Sequence, residues 1–209
     1  MTLYIVCFCF SACFAAAFLM SDGKINKAIN GCIKVIATLL LAIPAYNAYA
    51  VSDNVVFLLI AVGITLCACA DYVIHFHFLP GAVIFAAAHC VFAPAFIIYG
   101  SKLPYAVAMF VLFSVCCAFG LTKTELQPVL RFTAVLYGAV IGVMFSFAFG
   151  ASLYGDAFGI VSAFSAALFV ASDAMLAFGL GKPKCKKCDV ILMLLYYLAI
   201  SGFALACLL

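Results

Sequence analysis

The stretch VVFLLIAVGITLCACADYVIHFH, residues 55–77, decides the fold. Its 23 residues hold one formal charge, Asp71, and two histidines close to the far end, His75 and His77. A bilayer needs roughly 20 apolar residues at about 1.5 Å rise each to be crossed by a helix. The run meets that length, so it reads as a transmembrane helix. The whole chain has the same character: over 209 residues, 70% are hydrophobic and 8% are charged. Soluble domains carry about 25% charged residues. So few charges cannot cover a water-facing surface, and lipid must be the solvent for most of it.

Similar runs lie on both sides of 55–77. Together they give eight spans: 3–20, 32–50, 55–77, 80–99, 103–121, 128–149, 157–180 and 190–208. The expected fold is an all-α polytopic membrane bundle, one integral membrane domain over residues 1–209. The breaks are short. Ser21 to Gly31 holds Asp22, Lys24 and Lys27, and Ser52-Asp53-Asn54 is a tight turn. Pro80 suits a first helical turn, where its missing N–H costs nothing. Residues 3–20 exceed a usual signal h-region and follow no basic segment, so they read as the first span.

Basic residues set the expected orientation. Lys24, Lys27, Lys34, Lys123, Arg131, Lys182, Lys184, Lys186 and Lys187 lie in or beside odd-numbered loops, against Lys102 alone in the even ones. This places the odd loops in the cytoplasm and both termini outside. The net charge of +3 is spread over these loops rather than along one stripe, which argues against a nucleic-acid partner. Most of the twelve cysteines sit inside apolar runs as small hydrophobes, not as a disulfide framework. Cys185 and Cys188 form a lone CxxC that lacks the two further ligands of a structural zinc site.

Ionisable groups inside a span are costly and mark candidate sites. Asp71 in the third span, Asp173 in the seventh, His89 in the fourth and Lys34 in the second are such groups. Measured from the odd-loop ends, Asp71, Asp173 and Tyr196 lie about 9–10 Å deep and His89 about 14 Å. Lys34 lies nearer the surface and could snorkel. A shared depth on different helices is what one polar cavity requires. Asp71 and Asp173 stand 102 residues apart, each in the third span of a four-span half, and Phe76 and Phe178 follow them by the same five positions. A parallel four-plus-four duplication would bring the two carboxyls together at a pseudo-two-fold axis. His75 and His77 read as interfacial residues, although His75 shares a helix face with Asp71 at i,i+4 spacing.

These residues resemble the YhhN-like lysoplasmalogenase family of eight-span membrane proteins. Ala70-Asp71, followed by Phe78…Gly81…Phe85…His89…Phe92, resembles the family run Gly-Asp and then Phe-x-x-Gly-x-x-x-Phe-x-x-x-His-x-x-Tyr. Phe169…Ser172-Asp173 resembles Phe-x-x-Ser-Asp, and Tyr196-Tyr197-Leu-Ala resembles Tyr-Tyr-x-Ala-Gln. Lys34 resembles a family lysine. Ala70, Phe92 and Ile200 stand where the family has Gly, Tyr and Gln.

The resemblance implies hydrolysis of the vinyl ether bond of a lysoplasmalogen to a fatty aldehyde and a glycerophospho-ethanolamine or glycerophosphocholine. The substrate is then a lysophospholipid, and Asp71 and Asp173 are the catalytic pair. His89, Tyr196, Tyr197, Lys34 and Ser172 are expected to support them. The layered polar residues suit such chemistry. A vinyl ether must be protonated on carbon before water captures the resulting oxocarbenium ion. Two carboxyls in a low-dielectric cavity divide into an acid and an anion, and no metal or organic cofactor is required. Two rivals share the residues. One is a lipid binder or transporter in which the aspartates couple to protons. The other is a metal hydrolase using Asp71, His75, His77 and His89, weakened because His75 and His77 point to different helix faces.

Overall fold

The computed structural model describes residues 1–21, 23–122, 127–180 and 185–209. Eight helices run α1 Thr2–Ser21, α2 Lys27–Ser52, α3 Val55–Phe76, α4 Phe78–Tyr99, α5 Leu103–Thr122, α6 Pro128–Ser152, α7 Ala157–Gly179 and α8 Lys186–Ala206. Each is long and apolar enough to cross a membrane, and no strand occurs among the described residues. The expected spans and the helices agree in number and order. Most ends agree within three residues, and two starts differ by more, for local reasons. Helix α2 starts five residues before the apolar run, because the Asn26 side chain accepts a hydrogen bond from the Ala28 backbone and caps it there. Helix α8 starts at Lys186, with the Cys185 sulfur accepting from the Cys188 backbone N–H at 3.4 Å. The expected spans marked hydrophobicity, whereas caps mark where the backbone turns helical.

The break between α3 and α4 is a single residue. His77 adopts extended backbone and donates its N–H to the Val73 carbonyl at 2.8 Å, and α4 begins at the next position with Pro80 in its first turn. The two helices then run tightly side by side. A Cβ on Gly81 would lie 2.4 Å from the Cα of Ile74, a backbone atom that cannot swing aside. Gly81→Ala should therefore force the helix pair apart, at a cost of about 1–3 kcal/mol or more. A fall in the thermal midpoint in detergent, larger than for an exposed Ala→Gly change, would check this.

Neighbouring helices follow a repeated pattern. In the first half α1 packs on α2, α2 on α3 and α3 on α4; in the second α5 packs on α6, α6 on α7 and α7 on α8. The halves join twice, α4 against α6 and α8 against α2, so adding four to every helix number maps the set onto itself. Helices α2, α3, α4, α6, α7 and α8 thus close a ring, with α1 and α5 outside it. One hydrophobic cluster links the six ring helices. Its centre is aromatic: Phe92 of α4 stacks on Phe203 of α8 at 4.9 Å. Gly63 of α3 makes room for Phe92, whose ring comes within 2.3 Å of where a Cβ would sit. Lipid tails are as apolar as these side chains, so the bundle is held by close packing through small residues. Ala37, Ala45, Ala61, Ala68, Ala88 and Ala95 are fully buried at these contacts.

Candidate active site in the odd-loop half of the bundle

The α4 motif has a simple physical reading. Gly81, Phe85, His89, Phe92 and Phe96 recur at spacings of three and four, which places them on one helical face, and all five are buried. That face carries His89 into the ring. Helices α3 and α7 carry Asp71 and Asp173, and α2, α6 and α8 supply their partners.

Asp71 is completely buried and closely held. The Lys34 ammonium lies 2.8 Å from Oδ1. The hydroxyls of Thr38 and Tyr196 each donate to Oδ2 at 2.6 Å. Every partner therefore points positive charge or a proton at this carboxyl, the arrangement an anion calls for. Lys34 lies near enough to the surface to snorkel. It turns inward instead, with its side chain 13% exposed and its ammonium 5.7 Å from the Phe18 ring and 5.5 Å from that of Tyr196. A buried carboxyl partner outweighs headgroup solvation at this depth. The Tyr197 hydroxyl donates to the Lys34 carbonyl at 3.4 Å, and Ser172 ties α7 to α8 by donating to the Leu192 carbonyl at 3.2 Å.

Asp173 belongs to a second cluster. The Tyr137 hydroxyl donates to its Oδ2 at 2.5 Å. His89 Nε2 lies 3.1 Å from the Tyr137 oxygen and 3.6 Å from the same carboxylate oxygen. Since Tyr137 donates to Asp173, the consistent tautomer carries its proton on Nε2 and offers it to Tyr137. His89 Nδ1, fully buried, has no hydrogen-bond partner. A satisfied histidine would not leave that nitrogen open.

The two aspartates were expected to meet at one axis. They lie in separate clusters, and no hydrogen bond or ion pair joins them. An aromatic partition stands between: the His89 ring meets Phe169 edge-on at 4.7 Å, and Phe169 meets Tyr196 edge-on at 5.6 Å. Phe85 closes the same wall against Phe169 and Tyr196. Cys67, one turn before Asp71, sits within electrostatic reach of both carboxyls. The helix-number rule still holds for the chemistry. Asp71 of α3 takes partners from α2 and α8, and Asp173 of α7 takes them from α6 and α4.

The clusters differ in access. Asp173, its side chain 15% exposed, lines two cavities together with Tyr137. One, of about 50 Å³, opens among α3, α4, α6 and α7 between Phe78, Phe85, Leu130 and Thr133. The other, of about 380 Å³, runs between α5, α6 and α7. His75 meets Phe18 and Phe76 edge-on, and His77 is exposed in the α3–α4 turn. Among the described residues, no three His, Cys, Asp or Glu side chains gather closely enough to hold a metal ion. At the loop before α8, hydrogen bonds from the Cys188 thiol and backbone hold the Cys185 thiol below its ordinary pKa; both cysteines are exposed.

Thr38 and Tyr137 are not among the residues singled out above. A signal was present for each. Thr38 follows Lys34 by one turn, and Tyr137 lies 103 residues after Lys34, nearly the offset between the aspartates.

No curated protein and no solved structure matches the chain. The model of the YhhN family matches residues 29–207, from the first turn of α2 through α8, and takes in every helix that supplies the two carboxyl clusters. The chain belongs to the YhhN family.

Proposed function

We propose that this protein is a membrane-embedded hydrolase that cleaves the vinyl ether bond of lysoplasmalogens, with Asp173 as its proton donor. The observation that carries the reading is the contrast between the clusters. Asp71 is sealed and ion-paired, whereas Asp173 faces two cavities and keeps company with a histidine that has a free nitrogen.

The reaction adds water across R–CH=CH–O–R′. Asp173 delivers its proton to the carbon distal to oxygen, and the electron pair of the double bond forms the new C–H bond. The remaining carbon and oxygen share the positive charge of an oxocarbenium ion. The carboxylate left on Asp173 stabilises that cation, as a fixed dipole does in a dry site. Water then attacks the cationic carbon and gives its proton back to Asp173. The hemiacetal collapses to R–CH₂–CHO and HO–R′, so the acid ends as it began. His89 Nδ1 is the acceptor available to orient the water, while Nε2 holds Tyr137 in place. Asp71, with Lys34, Thr38 and Tyr196, keeps a fixed charge distribution behind the aromatic wall.

Purified protein in mild detergent should release aldehyde from a lysoplasmenyl-ethanolamine and no fatty acid from the lysolipid with an ordinary ester in its place, and a chelator should leave the rate unchanged. If folded protein releases no aldehyde from any lysolipid vinyl ether, the hydrolase reading fails and lipid binding or transport takes its place. Tyr137→Phe tests the geometry separately. It removes one hydrogen bond to the carboxyl and should lower kcat by about tenfold or more, measured at saturating substrate, with little change in thermal midpoint.

A further inference from the structure

The packing repeat between the halves is incomplete, and one of the differences lies beside Asp173. Residues one and four places after Asp71 are Tyr72 and His75, whereas those after Asp173 are Ala174 and Ala177. In the first half the bulky pair covers the space among α1, α2 and α3. The Tyr72 ring lies 3.2 Å from where a Cβ on Gly31 would sit, and His75 packs on Phe18 of α1 at 5.9 Å. In the second half the alanine pair lines the 380 Å³ cavity among α5, α6 and α7. The outer helices differ as well. Helix α1 reaches α8 in addition to α2, while among the described residues α5 packs on α6, meets α7 only where the Phe178 ring lies beside Gly120, and makes no matching approach to α4.

The open groove is apolar along its length, with Phe113, Cys117, Gly138, Ile141 and Val170 in its walls. Its polar residues are Tyr137 and Asp173, both on its inner side, toward the aromatic wall. A carboxyl bordering a lipid-covered groove is costly and is not kept without use. The volume falls in the range of small-ligand sites. On the far side of Asp173 the cavity is only about 50 Å³, so a second chain has no place there. One apolar slot with one acidic wall suits one chain attached to one reactive bond.

We propose that the α5–α6–α7 groove is a slot for the single alkyl chain of a lysolipid, entered sideways from the membrane, that brings the chain's bond to oxygen against Asp173. It rests on the hydrolase reading for what happens at that bond, but occupancy of the slot can be measured without turnover. Tyr72 and His75 close the equivalent space in the first half, which leaves Asp173 as the carboxyl that substrate reaches.

Gly138→Phe is the direct probe, because a Cβ at Gly138 meets nothing within 4 Å and the ring can grow into the groove without moving backbone. Ala174→Tyr copies the closed half and guards against a folding defect peculiar to one variant. Two readouts are taken. The first is the ratio of kcat/KM for a long-chain lysoplasmenyl-ethanolamine to that for a short-chain analogue. Both variants should lower this ratio by about tenfold or more, the value of roughly two buried methylenes. The second is photocrosslinking with a non-cleavable alkyl-ether lysophosphoethanolamine that carries a diazirine on its chain. Wild-type crosslinks should map to residues 113–121 and 134–141 and should be lost in both variants. An unchanged chain-length ratio with unchanged crosslinks overturns the slot, as do wild-type crosslinks at the α1–α2–α8 cavity around Leu41 and Leu198. If wild type cleaves nothing yet crosslinks in the groove, the slot stands and the hydrolase reading falls.

Discussion

Asp173→Asn should reduce aldehyde release by about 10²–10⁴-fold, the usual contribution of a positioned general acid. The bundle should remain folded. Asparagine keeps the size of aspartate, its carbonyl can still accept the Tyr137 hydroxyl, and the position is partly exposed to a cavity rather than sealed. What it loses is the transferable proton and the anion left behind. Both the protonation of the vinyl carbon and the stabilisation of the cation depend on that group. The loss should therefore fall on kcat at saturating substrate, with the thermal midpoint in detergent nearly unchanged. An Asp173→Asn protein that turns over within a few-fold of wild type would move the acid elsewhere, and His89 would be the next group to test.

The second large effect falls on stability. Asp71→Asn should destabilise the bundle by about 3–5 kcal/mol, because removing one partner of a buried pair leaves the other charge uncompensated. Lys34 retains some exposure and can redirect its stem toward the interface, which favours the lower end of that range. Combining Asp71→Asn with Lys34→Met removes both charges and should recover much of the loss. Unfolding measurements on the two single variants and the double variant form a cycle whose coupling energy reads the pair directly. Folded Asp71→Asn should keep more activity than Asp173→Asn, since its carboxyl stands behind the aromatic wall. Equal loss in the two folded variants would restore a two-aspartate mechanism.

The fold was legible because lipid leaves so few choices. A run such as 55–77 must satisfy its backbone internally, and a helix is the form in which a single segment can do so. Asp71, Asp173, His89, Lys34 and Tyr196 stood out for a related reason: an ionisable or hydroxyl group at membrane depth is expensive. Their partnership was harder to read. Equal depth fixes one coordinate of a side chain, and the angle around each helix fixes the rest. That angle is set by packing. Ring order places α8 against α2 and α4 against α6, so Tyr196 meets Asp71 and His89 meets the Asp173 cluster. The sequence showed the 102-residue offset, but not that Phe85 and Phe169 would stand between the halves. Tyr137 was passed over because, unlike Tyr196, it stands in none of the motifs quoted above, although its hydroxyl makes the closest contact with Asp173.

Carbon protonation by this protein is the central claim, and heavy water reads it most directly. Wild-type protein is given a lysoplasmenyl-ethanolamine in D₂O, and the aldehyde is trapped as it forms and weighed by mass spectrometry. Protonation on carbon followed by water capture predicts one deuterium on the carbon next to the carbonyl, with no such product above background from Asp173→Asn. Aldehyde that carries no deuterium at that carbon, or no aldehyde at all from folded wild-type protein, would contradict it.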